Sequence, residues 1–139
     1  MDNIPDRFYR VSIKALVLNA DRDKFLICKK DSGLWEFPGG GLDWGADPQT
    51  DLKREISEEM GVGVLSISEH PSYFVTAQSE PGKGIWIANV LYETVLHSLD
   101  FIPSEECTEI AFVNQGSIND LAVFEPVKKV AELFHRTTQ

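Results

Sequence analysis

The sequence is poor in cysteine, poor in basic residues and without a long apolar run, and each shortage closes off a class of protein. Two cysteines in 139 residues, Cys28 and Cys107, do not make a disulfide scaffold. Cys28 ends the apolar run Phe25-Leu26-Ile27-Cys28 and reads as a small buried hydrophobe; spacing alone leaves open whether the two pair. Only 13 Lys and Arg stand against 22 Asp and Glu, a formal net charge of -9. A surface of that sign repels the backbone of nucleic acid and anionic lipid, so neither is an expected partner. The three histidines show no metal-ligand spacing. The longest apolar stretch, residues 11–20, is interrupted by Lys14 and is too short to span a bilayer. Residues 1–10 carry Asp2, Asp6 and Arg7 and no apolar run of signal-peptide type. A soluble cytoplasmic protein is the expectation. There is no repeat, low-complexity tract or Pro/Gly/Ser linker, so residues 1–139 read as one domain.

What the chain does have is an ordinary hydrophobic fraction, 42%, with three Trp, three Tyr and eight Phe, enough to argue against disorder. Residues 8–18 are rich in Val, Ile and Leu and predict a strand, with residues 25–29 as its hairpin partner across the polar turn 19–24. Residues 62–67, 72–77, 84–97 and 107–113 read as further strands, with His70-Pro71 as a break and residues 79–83 as a polar loop. A last helix is predicted over residues 126–136, with Val127, Val130, Ala131 and Phe134 on one side. The order of strands, helix, several strands, helix predicts an α+β sandwich built on a mixed sheet rather than a regular βαβ repeat.

The centre of interest lies between residues 35 and 61. Trp35-Glu36-Phe37-Pro38 leads into Gly39-Gly40-Gly41, and three consecutive glycines suit a loop whose backbone approaches something closely. Asp47-Pro48 starts a helix, Asp as N-cap and Pro at the first helical position. That helix runs over residues 48–60, with Leu52, Ile56 and Met60 as its buried stripe and Gly61 as its stop. Within it Glu55, Glu58 and Glu59 fall at i, i+3 and i+4, on one face. Carboxylates this close repel, and a hard divalent cation such as Mg²⁺ or Mn²⁺ offsets the repulsion. A glycine-rich segment leading into a helix N-terminus favours an anion. Together these describe a place for a metal-bound diphosphate.

Residues 40–62 resemble the Nudix box. The family pattern is Gly, five residues, Glu, seven residues, then Arg-Glu, an aliphatic residue, any residue, Glu-Glu, any residue, Gly and an aliphatic residue. Here Gly40 is followed at the right offset by Arg54-Glu55-Ile56-Ser57-Glu58-Glu59-Met60-Gly61-Val62, and the box covers 23 of 139 residues. Two positions depart from it. Ala46 stands where the first Glu belongs, and Asp51 where a small residue is usual. The second suggests that Asp51, three residues before Arg54, takes over part of the lost partner role.

The resemblance implies a Nudix-type alpha/beta/alpha sandwich and hydrolysis of a nucleoside diphosphate linked to another moiety, with Mg²⁺ or Mn²⁺ as cofactor. It implies Glu58 and Glu59 as metal ligands, Glu55 as ligand or adjacent base, and Gly39 or Gly40 as a backbone-carbonyl ligand. Arg54 orients Glu55 and Glu58. A further carboxylate from a distant loop is expected, Glu106 first among Glu105, Glu106 and Glu109, with Glu80 behind. Gly39 and Gly41, Trp44 in its loop, and Tyr73 among the aromatics Phe8, Tyr9, Phe74 and Trp86 and with Asn114, are the expected substrate contacts. The first expectation for substrate is a (deoxy)nucleoside triphosphate. ADP-ribose or another nucleotide sugar is the alternative: ADP-ribose members often carry a Pro where this chain has Ala77-Gln78. A non-catalytic nucleotide sensor is the alternative of another class. Family members often dimerise, which makes a homodimer an expectation.

Overall fold

The first two strands are apolar almost throughout because both their faces are covered. β1 (Arg10–Leu16) is buried from Ser12 onward, and β2 (Phe25–Lys29) is buried up to Cys28. Alternate residues then serve two different cores. Ile13, Ala15, Leu26 and Cys28 face one helix, while Leu16, Phe25 and Ile27 face the other. These are features of a computed structural model that describes residues 6–138; the expectation placed on Asp2 lies outside the described residues.

The first helix, α1 (Pro48–Met60), begins as its sequence predicts. Asp47 keeps extended backbone angles and its carboxylate accepts the Thr50 N–H at 3.0 Å. Gly61 closes the helix in the left-handed region (φ 64°), which a residue with a Cβ enters only with strain. Leu52, Ile56 and Met60 are completely buried against Ile13, Ala15, Val17 and Leu26. The second helix, α2 (Glu125–Thr138), buries Val127, Val130, Ala131 and Phe134 on the opposite side, where Phe134 meets Phe25 edge-on at 5.5 Å between ring centroids.

Between the helices lie two sheets. β7 (Lys83–Leu96) is the long central strand of the larger one. It pairs in parallel with β1, and antiparallel with β6 (Tyr73–Glu80) and then β5 (Val64–Ile67). The smaller sheet places β2 between β3 (Trp35–Glu36) and β8 (Glu109–Val113). Helices on both sides of a mixed sheet make the alpha/beta/alpha sandwich expected from the sequence. No helix among the described residues is long and apolar enough to cross a membrane.

Three local expectations change. β2 is not the ladder partner of β1: the chain turns at residues 19–24, makes one bridge between Leu18 and Phe25, and then diverges into the other sheet. The expected loop at residues 79–83 shrinks to a tight turn at Pro81-Gly82 between β6 and β7. The triple glycine is not a loop but a strand, β4 (Gly39–Gly41), antiparallel to β1. Glycine is needed there for space: a Cβ on Gly39 (φ 128°) would lie 2.2 Å from the Ile13 carbonyl oxygen. Cys28 and Cys107 are both buried and both free. The hydrogen bond between them, with burial, pushes the Cys28 thiol up.

Candidate active site

β4 and α1 meet at a cavity of about 440 Å³. Its walls are Gly39, Gly40 and Gly41 from β4, Glu55, Glu58 and Glu59 from α1, and Glu106 from the segment before β8. Ser12, Lys14 and Lys30 complete it. Seven of the ten residues are thus among those singled out in the sequence, and Glu106, the expected distant carboxylate, is one of them.

Each carboxylate is held differently. Glu59 points inward and is buried, and its Oε1 accepts the N–H of Gly39 at 2.9 Å. Burial pushes its pKa up to about 7, against the opposing pull of the Gly39 N–H and the Lys14 ammonium. Glu55 lies on Gly40, where a Cβ would come within 2.9 Å of its carboxylate atoms. Glu58 is more exposed and takes a bidentate hydrogen bond from Arg54 Nη1 at 2.9 and 3.0 Å. The other guanidinium nitrogen, Nη2, reaches Glu55 at 3.1 Å and Asp51 at 2.7 Å. Arg54 therefore bridges Glu55 and Glu58, the orienting role expected for it. Its hydrogen bonds with Asp51 first, then with Glu58, hold its pKa above the usual value. Asp51 is buried and gives Arg54 its shortest contact, while Ala46, at the vacated box position, donates its backbone N–H to Asp43.

Glu106 is brought in by backbone contacts. Ile102 donates its N–H to the Met60 carbonyl at 2.8 Å, and the Ser104 hydroxyl donates to the Glu59 carbonyl at 2.6 Å. These tie the segment before β8 to the end of α1. Lys30 then pairs with Glu106 at 3.2 Å and lies over the Phe124 ring.

Two expected substrate contacts are not brought to the cavity. Trp44 is wholly exposed on its turn. Tyr73 pairs with Leu91 on the sheet face that meets α2 and packs against that core. Glu80 instead pairs with Lys83 across its turn. Sequence reasoning passed over Ser12, Lys14 and Lys30. The signal for Lys14 was present as the one charge inside the apolar run of β1, but a position facing a cavity cannot be told from one facing solvent until the sheet is built. A second cavity of about 200 Å³ adjoins the first through Ser12, Lys14 and Lys30. It leads to a third of about 620 Å³, lined by Leu34, Trp86, Val123, Phe124, Lys128 and Lys129 among others.

Against this geometry the comparisons are consistent. The NUDIX domain family matches residues 8–134. The chain is similar to the RNA pyrophosphohydrolase of Nitratiruptor sp., 35% identical over 71 residues, which are 47% of this chain and 46% of that one. It is similar to the nucleoside triphosphatase NudI of Enterobacter sp., 27% identical over 116 residues, 75% of this chain and 82% of that one. Among solved structures it resembles a MutT protein from Methanosarcina mazei, with a TM-score of 0.79 at 19% identity over 98% and 99% of the two chains. The match takes in only 36% and 42% of two plant Nudix hydrolases and about half of the RNA pyrophosphohydrolases. The chain belongs to the NUDIX domain family.

That family is associated with a divalent metal, and the donor set fits one. Four carboxylates and backbone carbonyls are hard oxygen donors of the kind Mg²⁺ and Mn²⁺ take, and a carboxylate buried as deeply as Glu59 is stabilised in its charged form by a neighbouring cation. The carboxylates are not gathered in advance: among the described residues no three His, Cys, Asp or Glu groups converge on one point. Glu55 and Glu58 are held by Arg54 instead.

Proposed function

We propose that the chain is a divalent-metal-dependent pyrophosphohydrolase that cleaves a nucleoside diphosphate linked to another moiety, with a (deoxy)nucleoside triphosphate as substrate and a nucleoside monophosphate and pyrophosphate as products. The observation that carries this reading is one cavity holding four carboxylates, a glycine strand and two ammonium groups, open to a larger space with an apolar wall. Glu55, Glu58, Glu59, Glu106 and the Gly40 carbonyl would hold the metal. When bound, it neutralises phosphate charge and lowers the pKa of the attacking water.

The chain's own residues account for the rest. Glu55, half-buried and steadied by Arg54, accepts the proton of the water as its oxygen bonds to phosphorus and the bridging P–O bond breaks. Arg54 keeps Glu55 and Glu58 in place and contacts no substrate. Gly39 and Gly41 bring bare backbone to the phosphates. Trp86 and Phe124 offer flat surfaces for a nucleobase in the third cavity. The acidic surface supports a free nucleotide rather than nucleic acid or a membrane as partner, and we place the enzyme in the cytoplasm as a homodimer.

The test is a panel of nucleoside triphosphates, ADP-ribose and a 5′-triphosphorylated RNA with Mg²⁺, run beside Glu58→Gln. Pyrophosphate release from triphosphates, reduced at least about a hundred-fold by the substitution, is the expected result. Turnover of ADP-ribose alone would move the reading to nucleotide sugars. Binding across the panel without turnover would make the chain a sensor, the reading that Ala46 keeps open.

A further inference from the structure

The geometry points to Lys14 as a built-in cation of the site, an ammonium that stands at the Gly39 carbonyl in place of one divalent ion. The inference rests on the metal-dependent reading above and concerns how many ions the carboxylates take.

Lys14 lies in the middle of β1, in register with Gly39 on one side and Leu91 on the other. It is 7% exposed, and an ammonium so deeply placed needs compensation from oxygen donors or opposite charge. Its Nζ donates to the Gly39 carbonyl at 3.4 Å. The N–H of the same residue is taken by the buried Glu59 carboxylate at 2.9 Å. Gly39 is thus gripped by a cation at its carbonyl and an anion at its amide. Two further cations at the site are already matched, Arg54 to Asp51, Glu55 and Glu58, and Lys30 to Glu106, while the Arg10 guanidinium lies against Gly41 at the cavity's other edge. Among the described residues Lys14 has no carboxylate within ion-pair distance, so its charge serves the cavity as a whole.

A strand carbonyl beside a buried carboxylate is a pair of oxygen ligands that a hard divalent cation would use. In this chain an ammonium already occupies that corner, and a divalent ion there would meet a like charge on a stem that the sheet holds in place. The remaining ions are left to Glu55, Glu58, Glu106, the Gly40 carbonyl and the Glu59 oxygen that the Gly39 N–H does not occupy. A purely structural lysine, bonded to Gly39 only to steady β4, would leave the number of ions unaffected by its removal.

The experiment counts Mn²⁺ bound per chain, by the electron paramagnetic resonance signal of the free ion, in the wild type, Lys14→Met, Lys14→Gln and Lys14→Arg. One additional Mn²⁺ per chain in the Met and Gln variants, with the wild-type number in Lys14→Arg, is expected. An unchanged number in the neutral variants overturns the inference, even with tighter binding, because long-range charge alone explains that. Mn²⁺ binding by no form of the chain overturns it as well. Should the variants fail to fold, the wild type still decides: the Gly39 carbonyl carbon resonance is expected to stay in place as Mg²⁺ is titrated, and a large shift would show the ion on that oxygen. The nucleotide panel is independent. Turnover with an unchanged Mn²⁺ count removes the role of Lys14 and keeps the enzyme; an added Mn²⁺ without turnover does the reverse.

Discussion

Glu59 is the residue at which burial and charge are most opposed. Its pKa in the folded chain is about 7 against an ordinary 4.5, so between those values the folded chain binds more protons than the unfolded one. Stability of the metal-free protein is therefore highest below pH 4.5 in this respect and is lost as the pH rises towards 7. The difference is about 3 kcal/mol at most. Thermal melts in chelator across pH 4 to 8 are expected to show that decline in the wild type and not in Glu59→Gln, which stays neutral and keeps an oxygen for the Gly39 N–H. Asp51 is the second residue with a distinct expectation. It sits buried beneath Arg54, and Asp51→Ala frees the guanidinium to fold fully onto Glu55 and Glu58. Lower activity and a lower melting temperature are expected, with Asp51→Asn between the two. Variants indistinguishable from the wild type in both measurements would remove Asp51 from the site.

At the scale of elements, β4 and α1 position the site together, and their glycines separate fold from chemistry. Gly39→Ala would drive a Cβ into the Ile13 carbonyl at 2.2 Å and force strain at φ 128°. Neither neighbour is a flexible side chain, so the β1–β4 pairing breaks, at a cost of about 2 kcal/mol or more. Gly40→Ala first meets the Glu55 carboxylate, at 2.9 Å, which can swing away. Gly40→Ala is therefore expected to melt close to the wild type while losing most of its turnover, and Gly39→Ala to melt markedly lower. Equal melting temperatures for the two would contradict this division. The helix was the most legible element because its signals are local: Asp47-Pro48 caps it, Gly61 ends it, and the buried stripe has helical period. The glycine strand was misread for the same reason. Three glycines have poor strand propensity by themselves, and only the neighbouring backbone of β1 makes that segment a strand.

Across the whole molecule, the site exists because distant segments close on one another. Residues 12 and 14 come from β1, 39–41 from β4, 55–59 from α1 and 106 from the approach to β8. A metal bound there stabilises only the assembled fold. Mg²⁺ or Mn²⁺ at a hundred times its dissociation constant is expected to add about 2.7 kcal/mol to unfolding, read as a rise in melting temperature that chelator reverses. Absence of any rise at saturating metal would count against the metal site.

The sequence by itself determined the carboxylate face of α1, the caps that hold that face in register, and the Arg54 partnership, because all of these lie within one or two helical turns. The order of its strands and helices also predicted the layered architecture. Only the tertiary structure decided that Glu106 joins the cavity while Trp44 stays in solvent and Tyr73 turns to the α2 core. It alone decided that β2 leaves β1 for the second sheet, and that Lys14 faces the carboxylates. These outcomes depend on strand register and on contacts between residues dozens of positions apart, and a side chain's face is set by the pairing of its strand, which no local pattern contains.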